Sequence, residues 1–195
     1  MIAIINYDPK SAAGIKDFLE THGIKCKETV SESLICSADK IILPPAENLE
    51  KALKKILVMN LFNVLKIVSK PILGIENGVL MMCDRFPDAD ISCLSFFKKI
   101  ENMASEEIDR DYITERMHKS RDLDIFEGVN FEDPYLFDTS LKLGMGEDTA
   151  AYFRIDESRF SALLAKGYYY GFLFHPLESG DNGERLLLNF CNSAL

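Results

Sequence analysis

Pro71-Ile72-Leu73-Gly74-Ile75-Glu76-Asn77-Gly78 is a short apolar run that ends in Gly-x-Glu-x-Gly and continues into Val79-Leu80-Met81-Met82. It reads as a buried strand feeding a sharp turn into a helix, the geometry that lifts a nucleophile to the top of an α/β sheet. Glycines suit the positions flanking the apex, because the central residue of such an elbow is backbone-strained and neighbouring side chains would collide with the turn. The apex here is Glu76, where a serine or cysteine would be the nucleophile.

Upstream, residues 2–6 form a β-branched run, followed by the polar turn Asp8-Pro9-Lys10 and a segment with Ile15, Phe18 and Leu19 at helical spacing. Residues 24–30 alternate apolar and charged side chains as a half-exposed edge strand does, and residues 39–43 predict a short buried strand stopped by Pro44-Pro45. Between residues 47 and 69, Leu49, Leu53, Ile56, Leu57, Leu61 and Val64 recur at three- and four-residue steps, which predicts one long helix or two abutting ones. The order β-α-β-β-α-β-elbow-α implies an α/β fold with a mainly parallel central sheet and helices on both faces. Ligands of such sheets bind beyond the carboxyl ends of the strands, where Glu76 lies.

Downstream, residues 91–100 read as a strand, residues 104–121 as a charged helical face or insertion with His118 exposed, and residues 128–146 as loop. Residues 150–155 predict a strand and residues 158–165 a short helix or turn. Residues 168–174 predict an aromatic strand that ends at His175-Pro176. A closing helix after Ser179-Gly180 buries Leu186, Leu187, Leu188 and Phe190.

A length of 195 residues, 47% of them hydrophobic and 27% charged, suits a single domain over 1–195. The net charge of −9 argues against a nucleic-acid partner, whose phosphates call for a basic face. The first residues lack a basic start and no apolar run approaches the ~20 residues of a membrane span, so a cytoplasmic protein without a membrane partner is expected. Five scattered cysteines without a CxxC pair fit reduced thiols, with Cys83 and Cys93 as inert core residues. His22, His118 and His175 stand in no HxxxH or HExxH spacing, and the expectation is no metal and no cofactor.

Taken together, the framework resembles class I (triad) glutamine amidotransferases, and within them most closely the glutaminase subunit of imidazole glycerol phosphate synthase. The resemblance is carried by Met1-Ile2-Ala3-Ile4-Ile5-Asn6-Tyr7, Ala38-Asp39-Lys40-Ile41-Ile42-Leu43-Pro44, Lys70-Pro71-Ile72-Leu73-Gly74-Ile75, Phe174-His175-Pro176 and Ser179-Gly180. It implies a flavodoxin-like fold with the elbow Gly-Ile-Cys-Leu-Gly-Met, whose thiolate attacks the glutamine carboxamide while a histidine acts as base and a glutamate orients it. Carried over by position, the nucleophile is replaced by Glu76, the base is His175, and the orienting glutamate is replaced by Leu177, with Glu178 a shifted candidate for that role. Gly74 and Gly78 flank the elbow. The family's oxyanion loop Leu-Pro-Gly-Val-Gly-Ala-Phe becomes Leu43-Pro44-Pro45-Ala46-Glu47-Asn48-Leu49, in which Pro45 removes an amide donor and Glu47 adds negative charge. The early Gly-Met-Gly-Asn turn becomes Asp8-Pro9-Lys10-Ser11, and Tyr-Phe-Val-His-Ser-Tyr-Tyr becomes Tyr152-Phe153-Arg154-Ile155-Asp156-Glu157-Ser158.

The resemblance therefore implies a pseudoenzyme that keeps the fold without glutaminase activity and acts through a synthase- or cyclase-type protein partner, its small-molecule ligand unspecified. An alternative makes Glu76 and His175 a new acid/base pair for hydrolase chemistry. A third reading, an intact glutaminase supplying ammonia to a synthase, requires nucleophile and oxyanion hole to be rebuilt from other residues.

Overall fold

Ile2–Ile5 (β1) is buried along its whole length, as a strand covered on both faces must be. The computed structural model describes residues 1–84, 92–97 and 112–193. Cys26–Thr29 (β2) and Lys40–Leu43 (β3) flank β1 in parallel, and Ile72–Ile75 (β4) adds beside β3. Tyr169–Phe172 (β10) pairs parallel to β4, and the sheet then turns antiparallel through Ser158–Lys166 (β9), Thr149–Ile155 (β8) and the two-residue His118–Lys119 (β6). The result is one eight-stranded sheet in the order β2-β1-β3-β4-β10-β9-β8-β6. Tyr112–Arg116 (β5) and Pro134–Asp138 (β7) form a separate antiparallel ribbon, joined to the strand ends by the bridge between Phe137 and Phe174.

Side-chain alternation along the strands divides the core into two layers. Ala3, Ile5, Ile41, Leu43 and Ile72 face Glu32–Ser37 (α2), Leu49–Val58 (α3) and Leu61–Ile67 (α4). Ile2, Ile4, Ile42, Leu73 and Ile75 face Pro9–Thr21 (α1) and Gly180–Asn192 (α5). Asp8 caps α1 by accepting from Ser11 N at 3.2 Å, with Pro9 at the first helical position, and Asn48 caps α3 by accepting from Lys51 N at 2.8 Å. Among the described residues no helix is long and apolar enough to cross a membrane.

The expected helices on both faces and parallel centre are present, and residues 47–69 form two helices. Several local readings are corrected. Residues 158–165 are strand β9, buried from Phe160 to Ala165; wedged between β10 and β8 it has no polar face, so its Leu/Ala run imitates a helix. After the elbow the chain forms a 3-10 helix over Glu76–Met82 rather than an α-helix. The short α2 between β2 and β3 was not foreseen. Residues 128–146 include β7, and residues 112–119 are strand where a charged helical face was read, with His118 exposed as expected. In the segment 91–100 the described residues 92–97 form no named strand; positions 91 and 98–100, like 101–111, lie outside the described residues.

Candidate functional site

Glu76 follows directly on the buried strand β4 and adopts φ +47°, the left-handed region that non-glycine residues seldom occupy. Side chain and backbone are 8% exposed. This is the strained apex the elbow requires. The two glycines serve through space, since neither has positive φ. A Cβ at Gly78 would stand 2.6 Å from Pro44 O and 2.7 Å from Leu43 O, and one at Gly74 would stand 2.7 Å from Met82 Sδ and 3.0 Å from Val79 Cα. The elbow is thereby pressed against the end of β3.

That contact ties down the loop after β3. Asn77, beside the apex, accepts from Ala46 N at 2.8 Å through Oδ1 and donates to Ala46 O at 2.8 Å through Nδ2. Asp8 Oδ2 accepts from Glu47 N at 2.8 Å, and Lys10 Nζ pairs with Glu47 at 2.6 Å. Tyr7 donates its hydroxyl to Pro44 O, and burial raises the pKa of that phenol well above its ordinary value. Pro45 has no amide to offer. The backbone donors of 45–47 are thus removed or occupied, whereas an oxyanion hole needs donors aimed at empty space where charge develops.

His175 lies just beyond the carboxyl end of β10, where its amide donates to Leu136 O at 3.0 Å and its carbonyl accepts from Ser179 Oγ at 2.7 Å. The imidazole Nδ1 is buried and has no hydrogen-bond partner among the described residues. Burial lowers the His175 pKa below its usual value, outweighing the attraction of Glu178, which favours the imidazolium. Residues 176–178 form a 3-10 turn, with Leu177 partly buried against the α1/α5 layer and Glu178 exposed.

Glu76, His175, Glu178, Pro45 and Ala46 line one cleft of roughly 560 Å³, so the structure brings these candidates together, with Leu177 at the same wall. Pro44, Gly74 and Gly78 lie behind them. Sequence reasoning missed Asn77, Asp8, Lys10 and Asp138. Asn77 adjoins the apex, and Asp8 sits in a recognisable capping position; Asp138 ends β7 with no local signal. Cys83 and Cys93 are buried away from the cleft, and burial pushes their thiols up to about 12 and about 11, far from a reactive thiolate. Among the described residues no group of three or more His, Cys, Asp or Glu side chains is arranged to hold a metal ion.

No family model matches the chain. It is similar to subunit HisH of imidazole glycerol phosphate synthase from Bacteroides fragilis, 29% identical over 196 residues with 97% of each chain covered. The protein of the same name from Bacteroides thetaiotaomicron is 25% identical over 202 residues, again with 97% of each chain covered. Subunit HisH 2 from Legionella pneumophila is 27% identical over 195 residues, covering 97% of this chain and 96% of the relative. Among solved structures, one described as a glutamine amidotransferase superposes with a TM-score of 0.70 at 16% identity, covering 97% of this chain and 96% of its own. A Thermoplasma acidophilum protein assigned as part of a GMP synthase gives 0.65 at 16% identity, with coverages of 97% and 91%. The resemblance carried by the motifs therefore extends over nearly the whole chain: in fold to glutamine amidotransferases, in sequence to the synthase subunits.

Proposed function

We propose that this chain is a glutamine amidotransferase-like protein that has lost glutaminase chemistry and acts through a synthase-type protein partner. The observation that carries the reading is the occupant of the strained elbow apex, a buried glutamate in place of a thiol. A carboxylate attacking an amide would have to expel an amine and leave an anhydride, so Glu76 does not replace the cysteine in the same reaction. The occupied amides of Ala46 and Glu47 support the same conclusion from the other side of the cleft. They also weigh against an intact ammonia-supplying glutaminase. The relatives are named as synthase subunits, and on that ground a protein partner of the synthase kind is the one assigned here. We take the chain as a single domain over 1–195 that works in the cytoplasm.

A second reading rests on one specific feature: Glu76 and a histidine kept neutral by burial line the same cleft. A carboxylate and a neutral imidazole are competent as an acid/base pair for a different hydrolysis. The two readings separate by chemistry. Incubation with an electrophilic glutamine analogue, followed by intact-mass analysis, should leave the protein unmodified. An adduct whose formation glutamine blocks would overturn the loss of glutaminase chemistry, and a hydrolase activity abolished by Glu76→Gln would favour the second reading.

A further inference from the structure

Beyond the cleft, the antiparallel edge of the sheet carries a cationic group that the rest of the surface does not neutralise. Tyr152 on β8 lies opposite His118 on β6, and their rings stack with centroids 5.1 Å apart. Arg154, two residues along β8 and so on the same face as Tyr152, lies directly opposite Arg159 of β9. The intervening pair Phe153 and Phe160 is buried on the other face. Both guanidinium groups lean on the Tyr152 ring, at 5.7 Å and 5.2 Å from its centroid, and Arg154 also donates to the Tyr152 hydroxyl at 3.4 Å. Both arginines and His118 are exposed.

Like charges directly opposite on neighbouring strands destabilise a sheet, and cation–π contact with one shared ring offsets only part of that cost. Nearby cations are engaged. Arg116 pairs with Glu132 at 3.0 Å, Lys119 with Asp122 at 3.1 Å, and Arg121 donates to the Ala165 carbonyl. Arg154 and Arg159 make no ion pair with a described residue, not even with Asp156 or Glu157 of the turn that joins their strands. Two such arginines kept side by side in a chain of net charge −9 mark a place where an anion is supplied from outside.

We propose that His118, Tyr152, Arg154 and Arg159 form a docking surface for an acidic segment of a partner protein, with a carboxylate held between the two guanidinium groups. Arginine forks match carboxylates in planar geometry, and the stacked Tyr152 and His118 rings give the segment an apolar floor. An acidic loop is favoured over a nucleic acid because the net negative charge repels a long polyanion, while a short segment is held by contacts inside a screening length of about 8 Å. None of the four residues lines the cleft. The surface rests on the partner reading above for its biological role and on its own geometry for binding.

Fluorescence anisotropy with a labelled oligo-glutamate peptide tests the surface on the full chain. The wild type should bind saturably, and Arg154→Gln/Arg159→Gln should weaken binding by about tenfold or more without lowering the melting temperature, since the like-charge pair is relieved. Lys25→Glu/Lys27→Glu changes charge at the opposite edge strand and should weaken binding less than about twofold, as screened long-range effects do. Tyr152→Leu should also weaken binding. Absence of peptide binding, equal loss in both double variants, or tighter binding of a labelled oligothymidylate than of the peptide would overturn the proposal. Failure of the peptide to bind while glutamine still yields no ammonia removes this surface and leaves the loss of glutaminase standing; peptide binding alongside glutamine turnover does the reverse.

Discussion

Glu76 keeps the left-handed apex of the elbow, and Asn77 next to it spends both ends of its side-chain amide on Ala46. Restoring a thiol alone should therefore not restore the reaction. Glu76→Cys is expected to be alkylated by iodoacetamide yet to form no γ-glutamyl thioester detectable by mass spectrometry. Adding Asn77→Ala frees the Ala46 amide and should raise thioester formation by roughly 100-fold, the worth of one oxyanion donor. Equal rates in the single and double variants would show that Asn77 does not close the loop.

His175 gives a second prediction at this scale, because its folded pKa lies below the ordinary value of 6.5. Between the folded and unfolded values the unfolded chain binds the extra proton, so stability rises with pH across that window. The contribution is fully present above the ordinary histidine pKa and is lost as pH falls through the folded value. Thermal melts from neutral to mildly acidic pH should show a steeper loss for the wild type than for His175→Gln. Glu178→Gln, which removes the opposing attraction, should move the His175 imidazole titration seen by NMR further down.

At the scale of elements, the contact between the elbow and the end of β3 decides which glycine matters more. Gly78→Ala drives a Cβ into the backbone carbonyls of Leu43 and Pro44 and should cost about 1–3 kcal/mol, as overpacking does. Gly74→Ala meets the movable sulfur of Met82 first and should lower the melting temperature less. Lys40 makes a parallel case at the other end of the sheet. Its ammonium donates to the carbonyls of Phe190, Cys191 and Ser193 at 2.5, 3.1 and 2.6 Å, capping the last turn of α5, although burial lowers its pKa. Lys40→Met should destabilise the protein by roughly 2 kcal/mol through orphaned carbonyls and speed amide exchange at the end of α5, leaving the cleft unchanged.

The elements legible from sequence were those with one clear period or one clear stop: β1, α1, β3 before its prolines, β4 into the elbow, and α5. Others lacked such a mark. Glu32–Ser37 is too short to show a helical face, and β9 shows none of the alternation that betrays a strand. The 3-10 form after Glu76 belongs to an elbow pressed on Leu43 and Pro44, contacts separated by more than thirty residues of chain. The Asn77 clamp on Ala46 is hidden for the same reason, since it joins positions 31 residues apart.

On the scale of the whole molecule, a mainly parallel sheet still delivers the ends of β1, β3, β4 and β10 to one cleft, as in the glutamine amidotransferases it superposes on. The strand framework that carries the resemblance was readable because buried β-branched runs and the Pro44 and Pro176 stops survive in the sequence. What fills the cleft is different in kind, with Glu76, Pro45, Asn77 and Leu177 where the resemblance implies a thiol, amide donors and an orienting carboxylate. The most direct measurement is ammonia release from glutamine by the purified protein, alone and with a candidate synthase partner. The account predicts a rate no higher than that of buffer in both cases; sustained, glutamine-saturable release by the unaltered chain would contradict it.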